Sequence, residues 1–549
     1  MAGLGAAPFD DPGEGMHAEI ARELMAHPAL PLTLNGVPYV DKPPLLYALV
    51  AAAFHALGPG EESARLIAVL AALAAAGATA WLGARLVDDR TGIVAGLALG
   101  TSVGFFVYGR YLRPEALFVA ALSIGFALLL IGVRDERRAL AAAGLAAFGL
   151  AALAKDPLGA LAPPLAVGLA LALGGRARPL GRWLPFSGVV LALLLGFGWW
   201  IAAERATPGF TWYTVVDNHV LNVVRARHFP DEDVPLGPGE FTAVALLGAV
   251  PWVVPAAVMI WRLARRRAWR DPQETPWVAL ALWTLGVLGL TAAVPFRLPH
   301  YGLPAYPAIA LLAARGWREL GVRRLAAVHA ALFAVLAVAC VLAWSSDGTA
   351  FMGEVMGATD VATRKSGAAG APASMPPWLA LRPLVGATAL AFGAGAVALT
   401  ITALVRARTA AAYATVATLI FVLPSAAGAL GLVAGHRAVK AMAAEVARRA
   451  GPADILALEG PIENAGALEW YGGRRPVIVD GRRSVLGFGA TRPGAPDVFW
   501  DAARLERAWH GPRRVWLVTA RPAEQSASVR LPGAQLVTSV GGRRLYVNR

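Results

Sequence analysis

Cysteine occurs once in this chain of 549 residues, lysine is rare, and only 16% of residues are charged. The single cysteine, Cys340, lies within an apolar run and excludes an intrachain disulfide, which leaves the redox compartment open. An ordinary globular domain carries roughly 25% charged residues. Here 57% of the chain is hydrophobic, so composition excludes a conventional soluble chain. Missing too is the polar stripe at a 3.6-residue period that a soluble helical bundle needs; residues 66–82 show none. The chain opens without a basic segment followed by an apolar stretch, so no cleavable signal peptide is expected. Nor is arginine gathered beside stacking aromatics, so the net charge of +14 does not point to nucleic acid as a partner.

What is abundant is apolar sequence in runs of about 17–25 residues, the length that crosses a hydrocarbon layer of about 30 Å. Twelve spans are expected, at 63–87, 91–109, 115–133, 138–154, 157–173, 183–203, 240–262, 276–294, 300–314, 325–345, 379–404 and 409–434. They are rich in Ala, Leu, Val and Gly, which favours close packing through small residues in a lipid bilayer. Basic clusters fall at every second connection: Arg85 and Arg90; Arg134, Arg137 and Arg138; Arg176, Arg178 and Arg182; Arg262, Arg265, Arg266, Arg267 and Arg270; Arg315, Arg318, Arg323 and Arg324; Arg406 and Arg408. The positive-inside rule assigns these to the cytoplasm. The head (1–62), 110–114, 155–156, 204–239, 295–299, 346–377 and the tail from Gly435 then lie outside, where the polar and acidic residues concentrate.

The run 44–57 is too short to cross and is expected to lie as a helix along the outer interface. A head that begins outside with no hydrophobic segment before it leads us to expect a missing first transmembrane helix, a thirteenth span whose outer end would be residues 1–9. After Gly435 short β-rich runs appear at 454–458, 476–480 and 513–519. A hairpin follows at 535–547 around Gly541-Gly542, and 497–509 has helical spacing. Strands alternating with a helix predict a small α/β domain. The expected fold is therefore mainly α: a polytopic transmembrane helical bundle (63–434) with outer juxtamembrane helices in the first loop (1–62) and a small C-terminal α/β domain (435–549) capping it.

Several outer residues suit chemistry. The head reads Asp10-Asp11-Pro-Gly-Glu14-Gly-Met-His17-Ala-Glu19-Ile-Ala-Arg22-Glu23, with a helix expected from Glu14. One carboxylate at a helix start is ordinary. A second acid, Glu115 in Arg110-Tyr-Leu-Arg113-Pro-Glu115, opens an apolar helix at the outer edge, where desolvation demands partners; Arg110 and Arg113 are at hand. Lys42, in Asp41-Lys42-Pro-Pro, and Lys155, in Ala-Lys155-Asp156-Pro, stand outside the arginine pattern. Arg297, His300 and Tyr301 mark a further outer edge. Each cation alone could be snorkelling. Together they form a pocket with carboxylates for proton transfer and cations for a phosphate. Such an inventory suits glycosyl transfer from a lipid phosphate, with cations stabilising charge on the departing phosphate. Asp41 and His219 together would suit a divalent ion such as zinc; no other cofactor is expected.

The order of Glu14-Gly-Met-His-Ala-Glu-Ile-Ala-Arg-Glu-Leu, Asn35-Gly-Val-Pro-Tyr-Val-Asp-Lys-Pro-Pro, Arg110-Tyr-Leu-Arg-Pro-Glu, Ala154-Lys-Asp-Pro and Leu298-Pro-His-Tyr-Gly-Leu-Pro resembles the GT-C membrane glycosyltransferases. The branch is the bacterial one of lipid A aminoarabinose transferases and relatives of protein O-mannosyltransferases. The segments Pro208–Tyr213 through His219, and His228-Phe-Pro-Asp-Glu-Asp233, resemble that branch's long outer loop. The resemblance implies inverting transfer from an undecaprenyl-phosphate-linked or similar sugar to an envelope acceptor (lipid A, protein or glycan), at the periplasmic side of a bacterial inner membrane. It places Glu14, Asp11 and Glu115 as catalytic carboxylates. It places Lys42 and Lys155 at the donor phosphate, with Arg110, Arg113, Arg297, His300 and Tyr301 as further candidates. Two departures stand out: Gly13 occupies a position where the family commonly has Asp, with Asp10 or Asp11 as substitute from upstream, and Glu115 replaces Asp. A transporter or a non-catalytic envelope assembly protein is the rival reading; transporters place ionisable groups near the midplane on broken helices.

Overall fold

The computed structural model describes residues 3–232, 234–356 and 375–549. Residues 1–2, Asp233 and most of the connection 346–377 lie outside the described residues. Every expected span corresponds to helix. Among the described residues, seven helical segments are long and apolar enough to cross a membrane: Glu61–Leu86, Glu115–Arg134, Phe186–Ala206, Pro272–Ala293, Val322–Ser345, Trp378–Leu404 and Arg408–Arg449. Arg138–Ala154, Leu158–Leu173 and Pro238–Leu247 are apolar but shorter.

Three expected spans are interrupted, for reasons that lie elsewhere in the chain. The span 91–109 divides at Ser102 into Asp89–Thr101 and Val103–Tyr108. The span 240–262 divides into Pro238–Leu247 and Val253–Arg265. The two breaks meet: Gly104 N donates to Gly248 O at 3.0 Å, and Trp252 Nε1 donates to Thr101 Oγ1 at 3.2 Å. One backbone N–H at the first break is thus satisfied by a carbonyl at the second, as a dry interior requires. The span 300–314 begins as a 3-10 turn over Pro299–Ala305 before the helix Tyr306–Glu319.

The basic connections gather at one end of the bundle and bind one another. Arg315 reaches Glu274 at 2.6 and 2.8 Å, Arg176 donates to Thr275 Oγ1 at 2.8 Å, and Arg85 lies 3.7 Å from Asp135. Arg318 pairs with Asp88 and Arg182 with Glu136. The alternation read from the sequence is thus a real sidedness of the helices.

At the opposite end sit head and tail. The head comprises helix Glu14–Ala26, a hairpin of β1 (Leu32–Leu34) and β2 (Val37–Tyr39), and helix Leu45–Leu57. The hairpin turns at Asn35-Gly36, both with positive φ (56° and 73°), the backbone that an Asn-Gly pair accepts readily. The tail is a six-stranded sheet of β3 (Ile455–Glu459), β4 (Val477–Val479), β5 (Phe499–Trp500), β6 (Val515–Thr519), β7 (Gln535–Val540) and β8 (Arg543–Val547). Their order is β5-β4-β3-β6-β8-β7; the first four are parallel and the last two run as an antiparallel hairpin. One detail differs from expectation: Phe499–Trp500 pairs with Ile478 and Val479 as an edge strand, and the helix of that run starts only at Ala502.

Head and tail share one hydrophobic core. Phe9, Ile20, Leu34, Tyr47 and Phe54 pack in the same cluster as Val439, Leu456, Trp516 and Leu545. The backbones nearly touch: a Cβ on Gly15 would lie 2.3 Å from Ala467 N, and one on Gly466 would lie 2.6 Å from Met16 N. Helix Leu45–Leu57 turns Leu46, Tyr47, Val50 and Phe54 into this core and leaves Leu49 and Leu57 exposed.

Candidate active site

Glu115 begins the helix Glu115–Arg134 and is 3% exposed. Its two oxygens differ. Oε1 lies 3.3 Å from Lys155 Nζ and 3.2 Å from His300 Nε2. Oε2 accepts no hydrogen bond, with Arg113 Nε at 3.5 Å as its charged neighbour. Lys155 caps the C-terminus of helix Arg138–Ala154, and its ammonium sits 5.0 Å from the Tyr301 ring and 5.5 Å from that of Phe118. His300 packs between the rings of Tyr108 and Tyr301. Three connections thus converge on one carboxylate.

The end of the head hairpin adds Asp41 and Lys42, which pair with each other. Burial alone would lower the Lys42 pKa; Asp41, then Glu115 and Asp156, outweigh it and leave the ammonium above its usual range. Lys155, by contrast, is pushed down by burial more than Glu115 and Asp156 can restore. The loop after residue 206 closes the other side. Its Tyr213–Leu221 segment is a π-helix, a rare form that recurs at functional sites. It presents Asn218 to Asp41 Oδ1 at 3.4 Å and His219 Nε2 to Asp156 Oδ2 at 3.2 Å. That hydrogen bond raises the His219 pKa against the opposing effect of burial. Arg227 braces the loop through Asp217 and Asp231, each at 3.4 Å. Beneath lies His17, whose Nδ1 meets Tyr47 Oη at 2.9 Å and whose Nε2 is buried without a hydrogen bond. Burial, then Arg113, lower its pKa to about 3, so the ring is neutral.

The structure sorts the expected residues into two groups. Glu115, Lys42, Lys155, Arg113, His300 and Tyr301 come together. Glu14 and Asp11, expected to share catalysis with Glu115, are engaged elsewhere. Glu14 is 1% exposed; its oxygens receive Arg65 Nε at 2.8 Å and Nη2 at 2.6 Å, with Leu112 N at 2.9 Å. A carboxylate so enclosed acts as an anchor. Asp11 is fully buried against the tail, accepting from Ala467 N at 3.2 Å, and burial pushes its pKa up to about 7. Arg110 lies over the Phe106 ring at 5.5 Å with Arg65 as its charged neighbour. Arg297 is engaged with backbone: its guanidinium donates to Leu236 O at 2.8 Å, to Ala292 O at 3.3 Å and to Val294 O.

The two residues expected to share a divalent ion each have protein partners in the structure. Asp41 is bound by Lys42 and Asn218, while His219 spends Nδ1 on Thr214 O at 2.6 Å and Nε2 on Asp156. Asp156, Tyr213, Asn218 and Arg227 were not among the expected site residues. Asp156 was signalled only by its place beside Lys155, and the loop residues by polar side chains within an otherwise apolar π-helical stretch.

Residues 41–201 match the family model described as dolichyl-phosphate-mannose-protein mannosyltransferase. An undecaprenyl phosphate-alpha-4-amino-4-deoxy-L-arabinose arabinosyl transferase of Enterobacter sp. (strain 638) is 25% identical over 319 residues, 56% of this chain and 55% of that protein. An uncharacterized protein of Aquifex aeolicus is 31% identical over 160 residues, 29% of this chain and 35% of its own length. The chain thus spans about half the length of the curated relatives it matches. The crystal structure of ArnT from Cupriavidus metallidurans bound to undecaprenyl phosphate superposes with a TM-score of 0.80 at 21% identity, covering 100% of this chain and 95% of that one. The apo state of the same protein gives 0.79. The fold is that of ArnT, a multi-pass helical bundle with a small C-terminal sheet domain, and the resemblance to GT-C glycosyltransferases carried by the motifs agrees with these matches.

Proposed function

We propose that this protein transfers a sugar from a polyprenyl-phosphate carrier to an acceptor hydroxyl or amine of the cell envelope, with inversion at the anomeric carbon. The observation that carries this is Glu115: one oxygen is fixed by Lys155 and His300, and the other accepts no hydrogen bond and has Arg113 beside it. In the reaction, the acceptor heteroatom bonds to the anomeric carbon as the bond from that carbon to the phosphate oxygen breaks. The electron pair leaves with the phosphate, and the acceptor proton passes to Glu115 Oε2. Lys42 and Arg113 stabilise charge building on the departing phosphate. Lys42 is the adaptable member, because its ion pair with Asp41 can open when a second anion arrives. The arginine-rich end would face the cytoplasm and the site the periplasm, with the prenyl chain in the bilayer. The gathering of charge at one end of the bundle favours this over a transporter, whose ionisable groups belong near the midplane.

The test is mass spectrometry of envelope lipids, proteins and glycans from cells making wild-type or Glu115→Gln protein at equal levels. The wild type should add a sugar-sized mass that also distinguishes pentose from hexose. The variant should lose it by about 10²–10⁴-fold in rate, the usual contribution of a general base. Full transfer by Glu115→Gln at normal abundance would overturn the proposal.

A further inference from the structure

A second buried carboxylate cluster lies away from Glu115, in the seam between head and tail. Glu19 and Glu23, one turn apart on helix Glu14–Ala26, face Glu469 on the tail helix Ala467–Gly472. All three are buried (1%, 7% and 6% exposed), and one oxygen from each lies within 4.8 Å of the others. Arg22 takes Glu19 Oε1 at 2.8 Å, and Arg475 Nε takes Glu469 Oε1 at 3.1 Å while its Nη2 stays 3.7 Å from Glu23 Oε1. Glu23 is further held by the Thr33 hydroxyl and by Gly36 N at 3.2 Å. The arginines thus serve one oxygen of Glu19 and of Glu469. The Oε2 atoms of both are buried with no hydrogen bond at all.

Three buried carboxylates stand against two guanidiniums that are themselves partly exposed, and an unpaired buried carboxylate oxygen is costly. Oxygens that share one calcium ion at 2.3–2.6 Å can stand no more than about 5 Å apart, the spacing found here. The donors are oxygen only, which suits a hard cation and not zinc or copper. We infer that Glu19, Glu23 and Glu469 bind one divalent hard cation of the calcium class, which fastens the C-terminal domain to the first helix of the head. The ion has no part in the transfer step; it ties together two segments 446 residues apart in sequence, counting from Glu23 to Glu469.

The test uses the full chain in detergent, stripped with chelator and read without any assay of transfer. Terbium, a luminescent calcium substitute, should bind at one site with emission sensitised by Trp470, the neighbour of Glu469. Calcium should displace it and raise the Tm. Glu469→Gln and, separately, Glu19→Gln should weaken binding on the order of 10–100-fold, in line with the dependence of calcium affinity on ligand charge. If Glu469→Gln fails to fold, the wild-type terbium titration and its calcium competition decide alone. Absence of saturable terbium emission and of any calcium-dependent Tm shift in the wild type would overturn the inference and leave a proton shared between Glu19 and Glu469. Binding that survives both variants would overturn it equally.

Discussion

Glycine 13 shows how one residue can redirect a site. Its φ of 135° lies in a region that residues with a side chain rarely adopt, and a Cβ there would meet Tyr111 Oη at 3.1 Å. The aspartate that the resemblance expects at this position would be strained. Gly13→Asp should therefore cost about 1–3 kcal/mol of stability, the usual range for a forced backbone conformation, without raising turnover; thermal unfolding and a transfer assay together check this. His219 offers a pH signature. Its hydrogen bond to Asp156 raises its pKa, so protonation favours the closed loop. The sign follows: the stabilisation is full below the unfolded value of about 6.5 and is lost as pH rises through the higher folded value. Hydrogen exchange of residues 213–221 should quicken on passing through that window, and His219→Gln should abolish the pH dependence.

At the scale of elements, the clearest dependence is that of the head on the span it precedes. Arg65, in the first turns of helix Glu61–Leu86, binds Glu14 and also donates to Leu4 O and Ala7 O at 2.6 and 2.7 Å. Arg65→Met would leave the Glu14 carboxylate buried without its cation. Breaking such a pair costs about 3–5 kcal/mol, and a lowered Tm with faster proteolysis of the head should report it. The interrupted spans illustrate why element boundaries were only partly legible. Apolar composition marks 91–109 and 240–262 as single runs. Their breaks are fixed by the contact of Gly104 with Gly248 and of Thr101 with Trp252, pairs far apart in sequence. The strand at Phe499–Trp500 was hidden likewise, because two residues at a sheet edge are defined by their partners Ile478 and Val479 and carry no periodicity of their own.

For the molecule as a whole, sidedness was the most legible property, since arginine placement is a statistical imprint of insertion. The membership of the site was legible as polar residues out of place: Lys42, Lys155, Glu115 and His300 each stand in apolar surroundings. Their division of labour was not. Glu14 and Glu115 look alike in sequence, and the position of Arg65 makes one an anchor, while carbonyls at Leu236 and Ala292 engage Arg297. The joint core of head and tail leads to a further expectation. A chain ending after Arg437 should lose the partners of Ile20, Tyr47 and Phe54, so trypsin should cut after Arg22 in that chain and spare it in the full one.

That shared core also sets an order of events. The head helices that carry His17 and Tyr47 are translated long before β8, yet the core they pack into includes Leu545 and Val547 of that strand. A copy that still lacks β8 therefore holds the head without part of its core. The head is fully seated only once β8 has joined it, and a copy truncated before that strand leaves this core incomplete.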